Sequence, residues 1–193
     1  KVTGFKLPTN VISKYILRSI LQWWSFRQLV DCIAWYSLLD DYDSGNHYGL
    51  VASQNLEPRR QYWTLRNWNK LLNDSVSFNP DPPLPYIIES SSTTLRHTFV
   101  QKSNKSFTIL VYNDVDSFDR KTQRELNPLR VPALLRIGTA HPGFKTFNLR
   151  EPTILGNMKP DSGLVIKGNG HGRKFSISVP DHVQMIECIP LRK

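Results

Sequence analysis

The residues with the clearest chemical potential lie in the stretch 32–51, CIAWYSLLDDYDSGNHYGLV. An apolar run ends in Trp35-Tyr36, and three carboxylates follow at Asp40, Asp41 and Asp43. Two carboxyl groups can work as general acid and base when one is desolvated enough to keep its proton near neutral pH. Asp40 and Asp41 are neighbours in a loop, where adjacent side chains point apart and water screens both. A solvated loop with Asx turns is the simpler reading of the three acids. They do not make a calcium loop either, because Gly45 comes one place too early. In an extended strand Trp35 and Tyr36 point to opposite faces, so one of them at most can face a ligand.

Other reactive side chains are scattered. His47, His97, His141, His171 and His182 lack a GxSxG or comparable nucleophile context. The GNGHG stretch at 168–172 is no phosphate loop, because no Lys-Ser/Thr follows and no strand-to-helix context fits. Cys32 and Cys188 each sit in an apolar run and read as buried thiols, with a disulfide between them as the open alternative. They lack metal-ligand spacing, so neither a metal nor another cofactor is expected. The chain carries a net charge of +9, yet the excess is spread along it. Residues 1–74 hold nine Lys/Arg against six acids, and 75–193 sixteen against ten. Nucleic-acid binding calls for a focused basic stripe, so none is expected. No apolar run reaches the ~18 residues of a membrane span. The first residues lack the apolar stretch of a signal peptide, and Lys1 is not Met, which favours a mature chain or a fragment.

These residues need elements to position them. Over 10–25, NVISKYILRSILQWWS, apolar side chains recur at Ile12, Tyr15, Ile16, Ile20 and Trp23, which is helical spacing, with Thr9 or Asn10 as cap. The run 29–38 is apolar, short and bounded by loops, which predicts a strand buried on both faces. A short strand or turn follows at 49–52. A second helix is predicted over 57–72, with Pro58 in its first turn and Tyr62, Leu65, Trp68 or Asn69, and Leu72 on its apolar face. Helix, buried strand and helix make a piece of parallel α/β architecture over 1–76. The proline-rich segment 77–86 reads as a linker. Across 87–193 short strands are expected at 86–90, 95–102, 106–112, 131–137, 144–149, 163–167, 173–179 and 183–189, with a long polar loop at 115–129. That spacing predicts an antiparallel β-sandwich.

Three stretches carry a family resemblance. Residues 10–24 look like the seventh helix of a (β/α)8 barrel. IAWYSLLDDYDSGNHYGLV looks like an eighth strand with its loop, and PRRQYWTLRNWNKLL looks like the last helix. Downstream, SFTILVYNDVDSFD is similar to a sandwich strand of the Leu-Trp-Asn-Asp kind. The chain thus resembles the C-terminal part of a retaining glycoside hydrolase of the clan that includes families 5, 30 and 39, with an appended β-sandwich. The fold implied is the end of a TIM barrel followed by an antiparallel β-sandwich.

The resemblance implies a saccharide ligand at the C-terminal end of the barrel strands. Aromatic rings there stack on the apolar faces of sugars, and acids accept bonds from hydroxyls. Trp35, Tyr36, Asp40 and Asp41 are the substrate-binding candidates. Retaining enzymes need two carboxyl groups about 5–5.5 Å apart. In this clan both resemble Glu, at the ends of strands four and seven. Val2-Thr3-Gly4-Phe5 has the flanks of the second without its Glu, and the first Glu in the chain is Glu57. No catalytic residue carries over, so the chain is expected to be inert, as a fragment of a secreted parent that hydrolyses glycosidic bonds. Its partners would be an oligo- or polysaccharide and the missing N-terminal barrel portion. The alternative is a non-catalytic carbohydrate-binding or interaction module.

Overall fold

The computed structural model describes residues 7–26, 28–35, 37–40, 48–74, 86–103, 107–137, 143–152, 158–160 and 173–189, without side chains at 143–152, 158–160, 173, 188 and 189. Two helices come first, α1 (Thr9–Trp24) and α2 (Arg60–Leu72). Ten strands follow: β1 (Tyr86–Glu89), β2 (Leu95–Gln101), β3 (Phe107–Asn113), β4 (Phe118–Asp119), β5 (Arg124–Glu125), β6 (Val131–Ile137), β7 (Gly143–Pro152), β8 (Met158–Pro160), β9 (Arg173–Val179) and β10 (Gln184–Ile189). They form an antiparallel five-stranded sheet in the order β2-β3-β10-β7-β8 and an antiparallel three-stranded sheet in the order β1-β6-β9. β4 and β5 pair as a small ribbon.

The alternation of side chains along the strands builds two apolar layers. One layer lies between the sheets: Phe107, Ile109 and Val111 of β3 and Ile186 of β10 meet Ala133, Leu135 and Ile137 of β6 and Phe175, Ile177 and Val179 of β9. Phe99 stacks on Phe107 at its edge, with ring centroids 5.1 Å apart. The other layer uses the opposite face of the five-stranded sheet. There Leu110, Tyr112, Val183 and Met185 take up Leu17 and Leu21 of α1 and Trp68 and Leu71 of α2. β3 serves both layers, and all seven of its residues are buried. That explains why FTILVY is apolar without a polar face.

β1, β2, β3, β6, β7, β9 and β10 lie close to expected strands, β8 was not expected, and 163–167 lies outside the described residues. The segment 115–129 is more than a loop, because it holds the β4–β5 ribbon. Most of the expected linker also lies outside the described residues.

The first 74 residues require larger corrections. The run 29–38 is not a buried strand. Leu29 is 83% exposed and Leu38 64% exposed, and Leu39 touches Val51 only through an isolated parallel bridge. A strand exists through the hydrogen bonds of its neighbours, and no hydrogen bond joins 30–34 to any other described residue. Cys32 is exposed with a free thiol, contrary to the expected burial, because its segment stands outside the packed layers. The side chain of Cys188 lies outside the described residues. Neither Thr9 nor Asn10 caps α1, where Pro8 holds the N-cap position. Asn10 instead donates through Nδ2 to Glu125 Oε2, 3.2 Å away.

α2 begins three residues later than predicted. Residues 57–59 are occupied in pairing with 50–52: Ala52 N donates to Glu57 O and Arg59 N to Leu50 O, both at 2.9 Å. The face that α2 buries is also different. Gln61, Thr64, Asn67, Trp68 and Leu71 are buried, whereas the predicted stripe of Tyr62, Leu65, Asn69 and Leu72 is half-buried or exposed. Only Trp68 belongs to both sets.

Candidate functional site

The seam between α1 and the sheets holds a first polar cluster. Lys14 and Arg18 lie one turn apart on the buried side of α1. Lys14 Nζ donates to Asp181 Oδ2 at 2.6 Å and lies 3.1 Å from Glu125 Oε1. Ser117 Oγ donates to the same Asp181 oxygen at 2.6 Å. Arg18 is paired with Asp114 and donates to Val115 O at 2.8 Å. Burial alone would push the Asp181 pKa up. Hydrogen bonds from His182, Lys14 and Ser117, with the Lys14 charge, outweigh it and hold the carboxyl well below the usual carboxylate range. No described residue of this seam faces a cavity in a way that suits catalysis, because Ser117 and Lys14 are almost fully buried.

A second polar cluster clasps the segment after the expected strand. Asp40 is buried and forms an ion pair with Arg59. Its Oδ1 also accepts the backbone N–H of Gly49 at 2.8 Å. Gln61 Nε2 donates to Gly49 O at 2.8 Å. Gly49 approaches so closely that an added Cβ would collide with the backbone of Leu39 and Asp40. Trp35 joins the same return segment, since its indole N–H donates to Tyr48 O at 3.1 Å. Trp35 and Asp40 therefore fasten adjacent residues, Tyr48 and Gly49. Both Asp40 oxygens are engaged within the chain. Tyr36, Asp41 and Asp43 lie outside the described residues.

Beside this clasp is a hollow of about 360 Å³ between the end of α1, residues 30–35 and α2. Four of the chain's five tryptophans line it: Trp23, Trp24, Trp35 and Trp68. Trp24 and Trp68 meet edge to face, with ring centroids 5.8 Å apart. Asp31 and Asn69 supply the polar part of its wall. The volume lies at the lower end of the ~300–1,000 Å³ typical of ligand pockets. Aromatic walls with a carboxylate and an amide suit a ligand that has apolar faces and hydroxyl edges. Among the described residues no cluster of His, Cys, Asp or Glu could hold a metal ion, and no helix is long and apolar enough to cross a membrane.

No protein-family model matches the chain, and no curated protein matches it significantly. Of the four sequence candidates, the structure brings Trp35 and Asp40 to one clasp. Sequence reasoning missed Asp31 and Asn69 as polar partners of the tryptophans. It also missed the seam, although Lys14 and Arg18, four residues apart between apolar positions, carry the signal for a paired buried charge.

Proposed function

We propose that this chain is the C-terminal part of a glycoside hydrolase-like protein whose parent reaction is retaining hydrolysis of glycosidic bonds. In this reading α1, the segment 29–39 and α2 are the end of a (β/α)8 barrel. The two sheets are a β-sandwich that braces the helices. The chain itself lacks both catalytic Glu and does not cleave. Sugar contacts fall to Trp35, Tyr36 and Asp41, while both oxygens of Asp40 are taken up by Gly49 and Arg59. The parent works in a secretory or extracellular setting.

One observation carries the proposal. The helical part has apolar surface in two directions, and only one is covered. Trp68 and Leu71 pack on the sheet, yet the Tyr62, Leu65 and Leu72 stripe and the run Trp23, Phe26, Leu29, Ile33, Trp35 and Leu38 remain partly or largely open. A helix that is apolar on more than one side belongs inside a larger body. Contiguous exposed apolar surface of this kind marks an interaction face. A barrel remainder of strand–helix units would cover it.

The test reads the coding sequence upstream of Lys1. The expected result is an open frame of ~200 residues, the remainder of a barrel of ~250, with Glu at the ends of its fourth and seventh strands. A start codon or stop directly upstream would sink the hydrolase reading. The tryptophan hollow favours a second reading, a non-catalytic carbohydrate-binding module. That reading gains if the isolated chain binds a neutral oligosaccharide saturably and quenches tryptophan fluorescence without releasing product.

A further inference from the structure

A second hollow, of about 920 Å³, opens between the start of α1 and the β4–β5 ribbon. Its apolar wall is Leu7, Phe118, Leu126 and the ring of Tyr15, and its charged lining is Asp116, Asp119, Arg120 and Lys121. The Tyr15 ring is fixed at both ends. Its hydroxyl accepts the Ser117 backbone N–H at 3.0 Å, and the Arg18 guanidinium lies 5.1 Å from its centroid. The ring therefore costs little ordering when a ligand settles on it.

The ribbon turn that presents the two cations is equally constrained. Asp119 accepts from Lys121 N at 2.8 Å and from Thr122 Oγ1 at 2.7 Å. Gln123 adopts φ +56°, which a side chain disfavours, and its Nε2 donates to Arg120 O at 2.7 Å. Backbone in that region persists where its surroundings over-determine it, and such places concentrate at ligand sites. The side chains of Arg120, Lys121 and Asp116 are exposed and make no hydrogen bond or ion pair with any described residue. A tightly built turn thus holds two cations without side-chain partners in the hollow that the Tyr15 ring and the Asp116 carboxylate also line.

We propose that this hollow binds an acidic saccharide, one whose rings carry carboxylate or sulfate groups. Arg120 and Lys121 would take the acidic groups through charge-assisted hydrogen bonds. Asp116 would accept ring hydroxyls, and Tyr15 with Leu7 and Leu126 would cover an apolar sugar face. The net charge of +9 raises the local concentration of such a polyanion. Nucleic acid fits less well, because two cations make no phosphate track. The proposal uses only residues of the described body and does not draw on the barrel reading, so either can fail alone.

Titration calorimetry of the 193-residue chain at low salt tests it. The probes are galacturonate oligomers, heparin-derived oligosaccharides, xylohexaose as the neutral sugar and a thymidylate ten-mer. The acidic saccharides should bind, and the preferred one distinguishes carboxylate from sulfate. Xylohexaose should bind about tenfold more weakly or not at all, and higher salt should weaken the acidic ligands. Arg120→Gln with Lys121→Gln, both on the exposed ribbon tip, should cost about tenfold in affinity, some 1.4 kcal/mol. Asp116→Ala should cost a few-fold, ~3-fold by the net worth of one hydrogen bond. The proposal is overturned by an absence of acidic-saccharide binding, by equal binding of xylohexaose, by wild-type affinity in the double variant, or by thymidylate binding as tightly as the saccharides.

Discussion

The seam at α1 and the stretch at 29–39 make opposite use of their residues. At the seam, Lys14 and Arg18 are at most 6% exposed although both carry charge. In the stretch, Leu29 and Leu38 are among the most open side chains although both are apolar. Residue type alone decides neither outcome. Burial follows from whether a complementary surface is present. The β part of the chain gives Lys14 a glutamate and an aspartate that Ser117 also holds, so its desolvation is offset. The described residues give 30–34 no hydrogen-bond partner at all.

Breaking the seam should have the largest effect. Asp181→Ala leaves the Lys14 amine in a buried site with Glu125 as its remaining counter-charge. Removing one partner of a buried pair costs about 3–5 kcal/mol, which a urea midpoint would register. Lys14→Met combined with Asp181→Leu should recover most of that loss, because it removes both charges together. A double variant as unstable as Asp181→Ala would show that the seam stabilises through more than charge compensation.

Acid sharpens the same point. The Asp181 pKa is lowered in the fold. Its contribution is therefore present above the unfolded value of about 3.9 and is lost as pH falls from there toward the folded value. Stability measured from pH 5 to pH 2 should drop in the wild type. The drop should be shallower in Asp181→Ala, and an identical slope in both would assign the acid sensitivity to other carboxylates.

The clasp lies between the two extremes. Asp40→Ala removes the Arg59 partner and the acceptor for Gly49 N, at a cost of about 1–3 kcal/mol. The damage should be local, because the clasp ties 48–51 and α2 rather than the sheets. Hydrogen exchange at Gly49 and Val51 should accelerate, while β3 and β10 amides keep their protection. Equal acceleration in β3 would mean that the clasp supports the whole body.

The contrast also explains what the sequence revealed. Strands β1, β2, β3, β6, β9 and β10 were legible because turn residues bound them and their neighbours lie within the chain. β6 alternates as VPALLRI and buries Ala133, Leu135 and Ile137. The two helices were legible from apolar spacing, but the buried face of α2 was not. Gln61, Thr64 and Asn67 are polar, and their burial depends on tertiary partners such as Gly49 O, which Gln61 reaches. The 29–38 run has the composition of a doubly buried strand, and the described residues do not supply its cover. Within the candidate site, Trp35 was legible as an aromatic at a loop mouth. Its contact with Tyr48 O was not, because the two residues lie 13 apart in the chain and no motif links them.

The smallest effect on stability should come from the open stretch, and it decides most. Leu29→Ser with Ile33→Ser should change the unfolding free energy of this chain by no more than ~0.5 kcal/mol per site, as expected of exposed positions. Binding of an apolar dye should fall, since Leu29 is 83% and Ile33 45% exposed. In a longer polypeptide that covers the stretch, the same changes should cost about 1.5–3 kcal/mol each, the worth of a fully buried aliphatic side chain. The ratio of the two costs measures how much of the stretch is meant to be covered. A small cost in both would make the stretch an ordinary solvent face and would remove the main support for the barrel reading. A large cost in the isolated chain would mean that its own residues cover the stretch, and the comparison with the seam would collapse.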